Sequence, residues 1–128
     1  MIEDINIPRV LVEVKAAFAR YEEALVDNNV KVLDDMFWSS KHTIRYGVTE
    51  SLYGYAAIQA FRKARSPAGL NRILKNTVIT TFGEDFATAN TEFVREGNPN
   101  KIGRQSQTWV RTSGGWRVVS AHVSLIDA

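Results

Sequence analysis

The sequence predicts an α+β fold: three N-terminal helices packed on a curved antiparallel sheet, with a cone-shaped cavity between them. Three observations lead there. From Leu11 to Leu25, apolar residues recur at spacings of three and four, the period of an amphipathic helix. From Leu70 onward the period changes to two, in segments rich in Thr, Val, Ile and aromatics. These segments are long and joined by short turns, so they form an antiparallel meander. A strongly twisted sheet that follows three helices curls around the long first one.

Each element has its own signal. Pro8 suits a first helical turn. Leu11, Val14, Phe18, Tyr21 and Leu25 then form one stripe, with Glu13, Arg20, Glu23 and Asp27 elsewhere on the helix surface. Asn28-Asn29 breaks the helix, and Asn29 can cap a second, short one that buries Val30, Leu33, Met36 and Phe37. Thr43 to Val48 reads as a short strand and Gly54 as a turn. Tyr55 to Arg65 is a third helix with Ile58 and Phe61 inward, ended by Ser66-Pro67-Ala68-Gly69. Four strands follow: Leu70–Phe82, Phe86–Arg95, Ile102–Thr112 and Trp116–Ile126. Gly83-Glu84-Asp85, Glu96–Lys101 and Ser113-Gly114-Gly115 are the turns between them.

Composition bounds the function. At 128 residues, with 45% hydrophobic and 23% charged side chains, the chain reads as one globular domain over 1–128. No apolar run approaches the ~20 residues of a membrane helix. The N-terminal MIEDINIPRV lacks the apolar core of a signal peptide, so a cytoplasmic location away from membranes is expected. With no cysteine, disulfides, thiolate chemistry and Cys-ligated metals are excluded. The net charge is +2, and the densest basic stretch, Arg62-Lys63-Ala64-Arg65, ends a helix, where cations complement the dipole. No nucleic-acid motif is present, so no nucleic-acid partner is expected.

Few residues can carry chemistry. His42 and His122 are far apart and form no HxH or HExxH pattern, so no metal site is expected. No glycine pattern of a nucleophile elbow occurs, and no cofactor fingerprint. Asp34 and Asp35, beside Leu33 and Met36, read as solvated. What remains is polar residues on faces that should be apolar. Tyr21 lies in the buried stripe of the first helix, either as a core tyrosine with one hydroxyl partner or as a pocket residue. Arg45 sits mid-strand, pointing either to solvent or inward. Gln105 and Gln107 alternate with Trp109 on one strand face, a row that fits a polar pocket wall. The last strand alternates Trp116, Val118, Ser120, His122 and Ser124 against Arg117, Val119, Ala121, Val123 and Leu125. The second set reads as core. The first, with His122, reads as pocket wall or as an interface between copies of the chain, so a homo-oligomer is expected, a dimer or a tetramer.

The order of elements and the final Gly115-Trp116-Arg117-Val118-Val119-Ser120-Ala121-His122-Val123-Ser124 resemble the NTF2-like (SnoaL-like) superfamily. That scaffold hosts isomerases, dehydratases, cyclases and non-catalytic proteins. A closer resemblance is to the AtzH-like family. It rests on Ala19-Arg20-Tyr21-Glu22-Glu23-Ala24-Leu25, His42-Thr43-Ile44-Arg45-Tyr46-Gly47 and Gly103-Arg104-Gln105-Ser106-Gln107-Thr108-Trp109-Val110, with Met36-Phe37-Trp38 between the first two. The family type is a 1,3-dicarboxyurea decarboxylase of bacterial cyanuric acid (s-triazine) degradation that forms allophanate. The resemblance implies a homotetrameric, cofactor-free enzyme acting on a small anionic substrate. It places the catalytic pair, a tyrosine on the first helix and an arginine on the following strand, at Tyr21 and Arg45.

Those residue types suit the reaction. When a carbamate loses carbon dioxide, its C–N bond breaks, and the nitrogen must gain a proton or become a costly anion. A tyrosine hydroxyl can supply that proton, and a neighbouring guanidinium favours the phenolate. An arginine pairs with carboxylates bidentately. Gripping the departing carboxylate would stabilise the ground state more than the products. Arg45 is therefore expected to hold the retained carboxylate or the urea oxygen, or to tune Tyr21. Trp109 supplies an apolar wall, and Gln105 and Gln107 can bind the urea core. The competing expectations are an isomerase, dehydratase or cyclase on a larger apolar substrate, and a non-catalytic carboxylate-binding or scaffold domain.

Overall fold

A computed structural model describes residues 4–128. Helix α1 spans Pro8–Val26, with proline in its first turn, and buries Val10, Val14, Phe18, Tyr21, Ala24 and Leu25. Asn28 adopts a left-handed backbone (φ 51°) that turns the chain. Helix α2, Val30–Met36, is capped by Asn29, whose side chain accepts from the Val32 N–H at 3.2 Å. Two three-residue strands follow, β1 (Ile44–Tyr46) and β2 (Ser51–Tyr53). Gly54, at φ 88°, supplies a backbone that other residues rarely adopt and opens helix α3, Tyr55–Ala64. The long strands are β3 (Arg72–Phe82), β4 (Phe86–Arg95), β5 (Asn98–Thr112) and β6 (Gly115–Asp127).

The six strands form one sheet in the order β2-β1-β6-β5-β4-β3. β3 to β6 are the antiparallel meander that the period of two predicts. The sheet as a whole is mixed, because β1 runs parallel to β6, with Arg45 opposite Ala121. β2 lies outside the sequence reading. β5 begins at Asn98 rather than Ile102, because the β4–β5 turn is tight and pairs Arg95 with Asn98.

Helices and sheet share one core. Val10, Val14, Phe18 and Leu25 of α1, Leu33 and Met36 of α2 and Ile58 of α3 meet Ala87, Ala89, Trp109, Val118 and Ala121 of the sheet. Each large side chain of this set that is fully removed from water contributes ~1.5–3 kcal/mol. Among the described residues, no helix is long and apolar enough to cross a membrane.

The alternation in β6 does not run unbroken. Thr108 pairs with Ser120 but Trp109 with Val118, so Val119 is an extra residue in a β-bulge. Before the bulge Trp116 and Val118 are buried; after it Ala121 is. This corrects the two-set division of the strand: Trp116 and Val118 belong to the core with Ala121, and Ser120 and His122 lie on the outer face.

A candidate active site on the inner face of the sheet

The pleat of β5 turns Gly103, Gln105, Gln107 and Trp109 to the inner face and leaves Arg104 and Ser106 exposed. Gln105 and Gln107 are only 3% and 2% exposed. Each amide is oriented by a donor on its oxygen. Trp109 Nε1 donates to Gln107 Oε1 at 3.1 Å, and Arg72 Nη2 to Gln105 Oε1 at 3.0 Å. Arg72 is itself held by Glu22 of α1 through two hydrogen bonds, at 2.9 and 2.6 Å, and lies over the Phe93 ring. With both oxygens engaged, the two Nε2 groups are left buried without a partner.

Tyr21 meets this wall from α1. Its ring stands edge-on to Trp109 at 6.4 Å and tilted against Phe37 at 6.1 Å. The residue is 4% exposed, and its hydroxyl forms no hydrogen bond to any described residue. A core tyrosine ordinarily satisfies that hydroxyl.

Arg45 turns inward from β1, and one arm of its guanidinium is engaged: Nη1 donates to Glu50 Oε1 at 2.9 Å. Glu50 also accepts from the Thr49 hydroxyl at 2.8 Å. Burial works to raise the Glu50 carboxyl, but the Thr49 and Arg45 bonds outweigh it and hold it below the usual carboxylate range. Gly47 leaves room for the carboxylate where it stands: a Cβ there would lie 1.6 Å from Glu50 Oε1 and make it shift. The motif's His-Thr-Ile-Arg-Tyr-Gly thus ends on the residue that leaves room for the carboxylate partner of Arg45.

The basic end of α3 is not a solvated helix terminus. Arg62 is 2% exposed. Its Nη1 donates to the Leu33 carbonyl at 3.3 Å and to Asp34 at 3.4 Å, and its guanidinium lies 4.1 Å over Phe37, the ring that also meets Tyr21. Asp34 is accordingly half-buried and paired, whereas Asp35 is exposed. Arg62 Nη2 and the Nε and Nη2 of Arg65 are buried without partners. Burial is the main force pushing the Arg62 guanidinium below its ordinary value; Tyr21 and Asp34 oppose this and Arg45 adds to it. Arg65 is likewise lowered, first by burial and then by Arg45. Sequence reasoning missed both residues, although spacing carries the signal: Arg62 is four residues after the buried Ile58, and Arg65 three after Arg62.

The structure thus sets Tyr21 against Trp109, bonds Trp109 to Gln107, and links Tyr21 through Phe37 to Arg62, whose guanidinium feels the charge of Arg45. It does not bring His122 there. His122 is exposed on the outer face, edge-on to Tyr46 at 5.6 Å, and the Tyr46 hydroxyl lies 3.1 Å from that of Tyr53. Trp116 is buried apart from both, its Nε1 donating to Glu13 at 3.0 Å. No group of three or more His, Cys, Asp or Glu that could hold a metal occurs among the described residues.

Open clefts lie around the rim. One of about 510 Å³ is lined by Gly69, Asn71, Arg95 and Asn98, and another of about 600 Å³ runs between α2 and α3 along Val30, Asp34, Ala56 and Lys63. Neither is lined by Tyr21, Gln105, Gln107, Arg62 or Arg65, whose unpartnered polar groups face the interior instead.

Known proteins place the chain further. A solved structure of a protein of unknown function from Pectobacterium atrosepticum is 58% identical, with a TM-score of 0.95 over 97% of this chain and 96% of that one. A cystatin-like fold protein from Burkholderia xenovorans is 45% identical, with a TM-score of 0.94 over 98% of each chain. An NTF2-like protein with a cystatin-like fold from Novosphingobium aromaticivorans, 21% identical with a TM-score of 0.71 over 94% of this chain and 84% of that one, shares the fold alone. No curated protein matches the chain. The AtzH-like sequence profile matches residues 3–128, so this chain, with an NTF2-like fold, Tyr21 on its first helix and Arg45 on its first strand, belongs to the AtzH-like family.

Proposed function

We propose that the chain is a cofactor-free decarboxylase of a small N-carboxylated urea, converting 1,3-dicarboxyurea to allophanate and carbon dioxide. The observation that carries this reading is an interior offering hydrogen-bond donors. Gln105, Gln107, Arg62 and Arg65 have buried, unpartnered N–H groups, and the hydroxyl of Tyr21, whose ring meets Trp109, is unengaged. A ligand made of carboxylate and carbonyl oxygens satisfies such groups; an apolar one leaves them orphaned. Membership of the AtzH-like family supports the same assignment.

In the proposed step, Tyr21 gives its proton to the urea nitrogen as the N–C bond to the carboxylate breaks. The bond pair stays on nitrogen, carbon dioxide departs, and the phenolate regains a proton from water. Arg62, whose guanidinium lies over the Phe37 ring that also meets Tyr21, stabilises that phenolate. Arg45, with one arm on Glu50, orients the substrate. An isomerase or dehydratase would need an acid or base in the interior, and no carboxylate there is free to be one. The carboxylates at this interior, Glu22, Asp34 and Glu50, each carry an arginine. The experiment is direct: carbon dioxide release from freshly generated 1,3-dicarboxyurea by the purified chain. Release no faster than without protein refutes decarboxylation, and ligand binding without turnover would assign a carboxylate-binding domain instead.

A further inference from the structure

Arg62 is buried and Arg65 half-buried, and the nitrogens that they withdraw from water are expensive as they stand. A guanidinium withdrawn from water needs an anion and hydrogen-bond acceptors. Arg62 has Asp34 and a carbonyl on one arm and nothing on Nη2; Arg65 has no acceptor at either buried nitrogen. Arg45 adds a third positive charge, and Glu50 already occupies it. Two amides on the inner face of the sheet share the imbalance, since Arg72 and Trp109 hold their oxygens and leave only donors. Five buried nitrogens on four side chains therefore lack acceptors: Nη2 of Arg62, Nε and Nη2 of Arg65, and Nε2 of Gln105 and Gln107. The Nε and Nη2 pair of Arg65 is the edge of a guanidinium that meets a carboxylate bidentately.

The geometry points to Arg62 and Arg65 as a carboxylate anchor: Arg65 receives one carboxylate of a dicarboxylate ligand through Nε and Nη2, and Arg62 Nη2 supports it. This deepens the proposed decarboxylation and rests on it for one assignment: the anchored group is the carboxylate that the product keeps. An anchor on a group whose charge does not change holds ground state and transition state equally. Arg65 is thus a substrate-binding residue that affects KM far more than kcat.

The test uses glutarate, whose carboxylates are separated by as many atoms as those of 1,3-dicarboxyurea and which cannot lose an N-carboxylate. Binding is measured by titration calorimetry on the full chain, with the neutral diamide glutaramide as control. The parent is expected to bind glutarate and not glutaramide. Arg65→Gln should weaken glutarate binding by roughly 10–100-fold, the loss of a charge-assisted bidentate contact, and Arg65→Lys should recover only part of it. Tyr21→Phe should bind glutarate within about threefold of the parent, since no charge is lost. If Arg65→Gln does not fold, phenylglyoxal labelling of the parent takes its place, with glutarate expected to protect Arg65. Parent-like glutarate binding by folded Arg65→Gln, equal labelling with and without glutarate, or no glutarate binding by the parent overturns the anchor. The two readings fail separately. Arg65-dependent glutarate binding without carbon dioxide release refutes decarboxylation and keeps the anchor. Carbon dioxide release by Arg65→Gln at the parent's KM refutes the anchor and keeps decarboxylation.

Discussion

Replacing Tyr21 by phenylalanine removes one oxygen from a side chain whose ring, not its hydroxyl, does the packing. The ring contacts to Phe37 and Trp109 survive, and no hydrogen bond to a described residue is lost. The folding free energy should therefore change by less than about 0.5 kcal/mol. If the hydroxyl is the proton donor, turnover should fall by about 10²–10⁴-fold, a barrier increase of roughly 2.7–5.4 kcal/mol at 1.36 kcal/mol per tenfold. KM should move little, because the substrate's charges are held by arginines. The assay pairs carbon dioxide release from 1,3-dicarboxyurea with a urea unfolding curve on the same preparation. Turnover within tenfold of the parent in a folded protein removes Tyr21 from the mechanism. A destabilisation of several kcal/mol would instead show that the hydroxyl is a structural group and refute the separation of roles drawn above.

Other expectations follow from single contacts. In Gly103→Ala the new Cβ would lie 2.1–2.4 Å from the Phe93 ring, so overpacking should destabilise the fold by ~1–3 kcal/mol in urea denaturation; an unchanged midpoint would refute that packing. Glu50 is held below its ordinary value of 4.5 in the folded chain, so its contribution to stability is present above pH 4.5 and fades as pH falls through the depressed folded value. Glu50→Gln should be less stable than the parent near neutral pH and approach it in acid, when unfolding free energies are compared; a gap independent of pH contradicts this. The outer sheet face carries a cross-strand row of Tyr46, His122, Ser106, Asn90 and the exposed Val78, and we expect it to be covered by another copy of the chain. Light scattering should give a dimer or tetramer mass at micromolar concentration, and a monomer mass rejects the assembly.

Much of the fold is visible in local pattern. The stripe of α1, the Asn29 cap and the long strands are set by neighbours in sequence, and periodicity reports them. The features that escape depend on distant partners. β2 is three residues long, too short for a period of two to register, and the parallel pairing of β1 with β6 joins segments more than seventy residues apart. The inward row Gln105, Gln107 and Trp109 is legible because β5 keeps its alternation across it. Arg62 is not, because a cation in the last turn of a helix has an adequate local explanation in the dipole. Only the position of Asp34 in α2 and of Phe37 just after it shows that it is buried. Glu50 and its seat at Gly47 escape for a similar reason: the pair exists through a turn that neither residue announces.

The bulge at Val119 makes β6 a strand whose length is fixed to the residue. Its first half presents Trp116 and Val118 to the core in one phase, and its second half presents Ala121 in the other. The change of phase occurs beside Val118, where the segment after α2 docks: Trp38 N–H donates to the Val118 carbonyl at 2.9 Å. Losing or gaining one residue there would rotate half the strand by a full side-chain step, exposing either Trp116 or Ala121 and moving the partner of β1. An insertion in a surface loop leaves this phase untouched, whereas the number of residues from Trp116 to Ala121 is a quantity the fold itself fixes, independent of which residues occupy it.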